Sequence, residues 1–162
     1  VVTGFAEYRD LQRHRMLTQQ RQEMNVSLGY SVPEEIEEIG QGEVVQECFE
    51  RAESLHSDLI KAGLNREAQY APLFNHFIRW NMGMNLREFG HLTELRSQKA
   101  GHPKYRRTVQ VMAKLYMERH PEMEPVLRFV DYNDYDQGIT RAEQEARTAR
   151  KSLATGVFDD MD

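Results

Sequence analysis

Apolar residues recur at three- and four-residue steps over 43–62. Val45, Cys48, Phe49, Ala52, Leu55, Leu59 and Ile60 share one helical face there, and Gly63 follows as a stop. Residues 5–15 fit a shorter helix with Phe5, Tyr8, Leu11 and Gln12 on one side. Val26, Leu28 and Tyr30 alternate ahead of Pro33, which predicts a short strand or an extended loop. The stretch 34–42 is a charged turn closing on Gly40 and Gly42. Asn65 can cap a brief helix that Pro72 interrupts, and 73–84 is aromatic-rich and charge-poor, as a buried strand would be. Asn85 with Glu88 three places on is a capping-box pattern that starts a helix running to about Arg96. A further helix runs from Lys104 to about His120, with Val109, Met112, Leu115 and Tyr116 inward. Pro121 and Pro125 open a short one after it. Thr140 and Glu143 begin a last helix whose thin stripe (Ala142, Ala146, Ala149, Leu153) suits a peripheral or oligomer-contacting element. The pattern predicts a mostly helical chain with two short strands, at 26–30 and within 73–84.

Length sharpens this picture: 162 residues is about one domain. Cys48 is the single cysteine, which excludes an internal disulfide framework and a cysteine zinc cage and predicts a reducing, cytoplasmic home. No apolar run approaches the roughly 18 residues of a membrane span. The first residue is Val1 rather than Met, so the expectation is a missing upstream piece. The formal charge of −5 argues against nucleic acid or anionic membrane as a bulk partner. That charge is partitioned, however: residues 34–67 carry −7 and 121–162 carry −5, whereas 1–25 carry +1 and 85–120 carry +5. Alternating basic and acidic segments suit a localised anion site.

Three constellations carry candidate chemistry. Arg13-His14-Arg15, followed by the polar stretch 18–23, offers two planar guanidiniums around an imidazole, suited to a diphosphate or carboxylate. Taken by itself, the tripeptide reads first as a solvated helix end favoured by the helix dipole. In 85–96, Arg87 and His91 share a helix face, Arg96 lies well around from them, and Gly90 in mid-helix suits a close approach to the backbone. An ordinary amphipathic helix is the alternative. Two Glu-x-x-His pairs, Glu53/His56 and Glu88/His91, match half of a di-iron carboxylate set, which leaves a di-iron helical protein as a remote third reading. P-loop, GxGxxG, GxSxG and HExxH motifs are absent from the sequence. Cys48, on the apolar face of its helix, reads as core rather than nucleophile.

Taken in order, the first two constellations resemble the flavin-dependent thymidylate synthases (ThyX), whose first motif is R-H-R-x-x-S-x-N-x-x-S-x-R-Y and whose second is an N-x-R helix ending in L-R. Arg13, His14 and Arg15 match, with Thr18 for the Ser and Gln20 for the Asn. Asn85, Arg87 and Leu95-Arg96 match the second motif, and Pro72 and Trp80 resemble the strand before it. The resemblance covers residues 5 to about 131.

It implies an α+β fold, mostly helical with a small antiparallel sheet and incomplete at its N-terminus. A ThyX-like domain would span 1–135, and a peripheral helix and tail 136–162. It further implies methylation of dUMP to dTMP with methylenetetrahydrofolate and NADPH, FAD as cofactor, and a homotetramer or pairing with a second such domain. Arg13, His14, Arg15, Gln20, Asn85, Arg87 and His91 would then line the flavin site. Gln12, Arg13, Arg21 and Arg96 would meet the nucleotide, with Arg96 facing the uracil as the catalytic group. The chain departs from the family at Glu23, Asn25 and Val26, and before Pro72, where 67–71 lacks the family's Arg. These are nucleotide-phosphate positions. The departures point to a divergent member or the later half of a duplicated one, with a non-catalytic half that binds FAD or scaffolds an intact synthase domain as the alternative.

Overall fold

A computed structural model describes residues 1–134 together with Ala146, Ala149 and Arg150. The chain divides into two compact units, Val1–Glu88 and Phe89–Asp162. The described residues are mostly helical with one three-stranded antiparallel sheet, an α+β fold as expected.

The first unit is built on its sheet, in the order β1-β3-β2: β1 is Val2–Gly4, β2 is Thr18–Arg21 and β3 is Phe77–Gly83. β3 is the central strand, pairing Thr3 with Ile78 on one side and Gln20 with Asn81 on the other. Ile78 and Trp80 are buried while Arg79 and Asn81 are exposed, so β3 alternates instead of being covered on both faces. The Trp80 indole N–H donates to Thr3 Oγ1 at 3.0 Å, and Tyr8 meets the same ring edge-on at 4.9 Å. Helix α1, Phe5–Leu11, buries both of its end residues, and its Glu7 carboxylate accepts the Gly4 N–H at 3.2 Å. α1 is shorter than 5–15, because Gln12 ends it and the chain turns toward β2.

The strand expected within 73–84 is β3, the one expected at 26–30 is absent, and a strand the apolar pattern did not show takes its place. The 26–30 stretch is a turn region rather than a strand: it meets the start of β3 through an isolated bridge, Tyr30 to His76, and the Gly29 carbonyl accepts the Phe77 N–H at 2.9 Å. The second edge strand is the polar β2, whose four side chains are all exposed. The charged turn at 34–42 contains a short helix, α2, Glu34–Glu38, with Gly40 at φ +69°.

α3 spans Gly42–Lys61, and Gly63 at φ +78° ends it. Of its seven-residue apolar face only Phe49 and Ala52 are buried, and Leu55 and Ile60 are exposed. Cys48 is exposed too, which corrects its reading as core. The brief helix after it is a 3-10 turn, Glu67–Tyr70, with no side-chain cap.

The second unit takes over within helix α4, Leu86–Ser97, whose first residues through Glu88 belong to the first. α5, Pro103–Arg119, starts with Pro103 in its first turn, and the His102 imidazole accepts the Lys104 N–H at 3.3 Å. Val109 and Ala113 face inward, but Leu115 is exposed. A 3-10 turn at Pro121–Val126 follows, and Ala113, Leu127 and Val130 form a core with Phe89, Tyr116 and Met117 against it. α4 anchors that segment: Glu94 Oε1 accepts the Phe129 N–H at 3.3 Å and Ser97 Oγ accepts the Asp131 N–H at 2.9 Å. The expected 140–153 helix and the 136–162 tail fall largely outside the described residues.

Candidate functional site

The residues singled out in the sequence fall into two groups, one in each unit. In the first unit, Gln12, Arg13, His14 and Arg15 lie on the connection between α1 and β2, Gln20 and Arg21 on β2, and Asn85 and Arg87 at the start of α4. The arginine tripeptide alternates in burial. Arg13 and Arg15 are exposed and His14 between them is buried.

What holds His14 inward is Glu88: its Oε1 lies 2.8 Å from His14 Nδ1, with both side chains buried and 74 positions between them in sequence. Ionised, the carboxylate can only accept, so Nδ1 is the nitrogen that carries the proton. Glu88 is fixed in turn by the first turn of α4, where Asn85 Oδ1 accepts the Glu88 N–H at 2.9 Å. The capping pattern is therefore half realised, because Glu88's carboxylate goes to His14. A second bond steadies the connection from the other side, as the Gln19 side-chain amide donates to the Gln12 carbonyl at 2.8 Å.

These contacts join the first motif to the Asn85-x-Arg87 start of the second within one unit and leave guanidiniums at its surface. Arg13 has Asp10 at 4.0 Å, a weak exposed pair. Arg15 and Arg87 are exposed with no ion pair among the described residues. Arg21 Nη1 donates to the Gln22 carbonyl at 3.1 Å. Such guanidiniums suit a phosphate or diphosphate, which takes planar donors in charge-assisted bonds.

The altered end of the first motif is folded onto itself. Asn25 Oδ1 accepts the Ser27 N–H at 3.0 Å and the Ser27 hydroxyl at 2.7 Å, while its Nδ2 donates to the Glu23 carbonyl at 3.1 Å. This is an Asx turn. Gln69, in the segment before Pro72, accepts the Met24 N–H at 3.3 Å and so ties the turn down. Glu23 is exposed.

His91 and Arg96 lie in the second unit. His91 is exposed, and Arg96 stacks its guanidinium over the Tyr105 ring at 5.7 Å. Gly90 has a packing reason: a Cβ there would meet the Val126 carbonyl at 3.2 Å and its Cγ1 at 3.3 Å, so the end of the Pro121–Val126 turn is what approaches the helix backbone. Glu88 turns to His14, Glu53 lies 3.8 Å from His76, and among the described residues no three His, Cys, Asp or Glu side chains gather to hold a metal ion.

The sequence model of the thymidylate synthase complementing proteins matches residues 2–122. The chain belongs to that family. The chain is similar to UPF0159 proteins of Chlamydia muridarum, at 41% identity over 147 residues, and of Chlamydia pneumoniae, at 36% over 147 residues. Each alignment covers 91% of this chain and 27% of the relative. A UPF0159 protein of Thermoplasma acidophilum is 31% identical over 157 residues, covering 96% of this chain and 30% of its own. The chain thus spans less than a third of the length of these relatives.

Glu88 is the residue that sequence reasoning passed over, having read it only as a cap and a half ligand pair. Its signal was its place one helical turn before the buried Leu92, in line with the inward stripe of α4.

Proposed function

We propose that this chain is part of a flavin-dependent thymidylate synthase in which the first unit binds FAD. One observation carries the reading: the buried His14–Glu88 bond joins the Arg13-His14-Arg15 motif to the Asn85-x-Arg87 motif and leaves their guanidiniums exposed. Membership in the thymidylate synthase complementing family supports it. Arg13, Arg15 and Arg87 would hold the cofactor's diphosphate through charge-assisted bonds, with Gln20, Asn85 and His14 flanking them. FAD, reduced by NADPH, would supply the reducing equivalents for methylating dUMP with a methylenetetrahydrofolate carbon. The same reading gives His91 and Arg96 of the second unit ligand-facing roles. A guanidinium fixed at a uracil ring would stabilise negative charge developing on it, and the Tyr105 ring restrains Arg96 in that sense. Gln12 and Arg21 would meet the nucleotide, and a tetramer or a second domain would complete the assembly.

The test is in two stages. Purified full-length protein is expected to be yellow or to acquire flavin absorbance after incubation with FAD, and a protein that stays colourless sinks the reading. Rescue of a thymidine-requiring strain by the full-length gene then tests turnover, and Arg96→Ala is expected to abolish it.

A second reading is favoured by the turn at 23–27. Asn25 spends its side chain on that turn, and Glu23 puts a carboxylate where the family binds phosphate. A half that binds flavin but anchors no nucleotide would scaffold an intact synthase domain. Flavin binding without rescue, and Arg96→Ala changing stability alone, would select it.

A further inference from the structure

The bond between Glu88 and His14 gives the acid a role that the family motifs do not contain. The buried imidazole sits between two exposed arginines, on a connection that is neither helix nor strand. The backbone there is steadied by the Gln19 amide at the Gln12 carbonyl, 2.8 Å away. Glu88 holds the middle of the tripeptide, with its Oε1 2.8 Å from Nδ1. Turning the ring outward would leave a buried carboxylate without its partner, a cost that keeps the ring in place. Asn85 holds the Glu88 backbone at 2.9 Å, so the carboxylate itself has a fixed origin.

We infer that Glu88 is a positioning residue: by holding His14 inward through Nδ1, it sets the outward presentation of Arg13 and Arg15 to an anionic ligand. It touches no ligand itself. The inference rests on the flavin reading for the identity of that ligand, a diphosphate-bearing cofactor, but the bond and the tautomer it imposes are independent of it. Preorganised donors bind more tightly than the same donors on a loose loop, because the ordering cost is met before the ligand arrives.

The experiment is FAD titration of the full-length protein, followed by flavin fluorescence, on the wild type, Glu88→Ala, Glu88→Gln, His14→Ala and the double Ala variant. Glu88→Ala is expected to weaken binding about tenfold, and Glu88→Gln, whose carbonyl still accepts the Nδ1 proton, by no more than about threefold. The double variant is expected to bind no more weakly than His14→Ala, because Glu88 acts through that ring. Additive losses, or wild-type affinity in a folded Glu88→Ala protein, would overturn the inference. Nitrogen-15 NMR of the His14 imidazole gives a ligand-free check: protonated Nδ1 in the wild type supports the role, and an Nε2-only proton refutes it. Should the wild type bind no FAD, the flavin reading fails by itself, and the His14 tautomer decides the Glu88 role. Should Glu88→Ala fail to fold, the Gln variant and the wild-type tautomer still decide it.

Discussion

His14 and His76 are both buried in the first unit and both are held through Nδ1, yet the two bonds run in opposite directions. At His14 the ring donates to a carboxylate. At His76 the ring accepts, taking the Leu73 N–H at 2.8 Å, so its proton sits on Nε2. That Nε2 has no hydrogen-bond partner among the described residues, and the Glu53 carboxylate stands 3.8 Å off, beyond bonding distance. The walls of the two places differ as well. His76 is edge-on to Phe49 at 4.8 Å and to Tyr30 at 5.9 Å, and Tyr30 stacks on Phe49 at 4.0 Å. His14 has a charged arginine on each side in sequence. Burial alone therefore does not mark a functional histidine. One ring serves a turn and an aromatic cluster, and the other connects two distant motifs beneath an arginine-bearing surface.

The largest effect that would sharpen this contrast is at His76. His76→Ala removes a fully buried ring and orphans the Leu73 N–H, and is expected to cost about 2–4 kcal/mol in urea unfolding. Flavin affinity per folded molecule should stay at the wild-type level, and a loss there would dissolve the distinction between the two histidines. His14→Ala is expected to do the reverse, weakening FAD about tenfold (~1.4 kcal/mol) with a smaller share of the damage in stability. Isothermal titration alongside urea melts separates the two. Asn85→Ala comes next, at about 1 kcal/mol of stability for the lost cap. It should also weaken FAD binding in part, because the Glu88 backbone loses its anchor.

The smallest effect is in pH. Burial pushes the His76 pKa below the ordinary histidine value, with His56 adding to that push and Glu53 opposing it. The unfolded chain then binds the proton more readily than the folded one between the two values. Stability should be full above about pH 6.5 and fall as pH drops below it, levelling off beneath the folded pKa. His76→Phe should flatten that part of the profile, and a profile unchanged by the substitution would place the titrating group elsewhere.

Much of the helical framework is legible in the sequence. α3, α4 and α5 follow the 3.6-residue period, with Gly63 marking an end that backbone geometry makes special. The sheet was harder, because periodicity reports burial and β2 buries nothing: Thr18, Gln19, Gln20 and Arg21 are all exposed, so their strand has no apolar alternation to show. β1 is only three residues long. In α3 the apolar face was visible but its use was not, since Leu55 and Ile60 are apolar and exposed. For the site, the arginine and asparagine motifs could be read along the chain, and their connection could not. An acid such as Glu88 ordinarily marks the wet side of a helix, and only a contact across 74 positions turns it inward.

The order β1-β3-β2 also has a consequence for how the chain reaches this structure. Neither edge strand pairs with the other; both wait for β3, and the Trp80 indole that bonds Thr3 lies 77 positions away. During synthesis β1 and β2 leave the ribosome long before their shared partner exists. The closures are long-range, so the sheet must assemble late, after α3 has had time to form locally. Until then β1 and β2 present unpaired backbone, and β2 does so with four polar side chains that give a passing chain little apolar surface to hold.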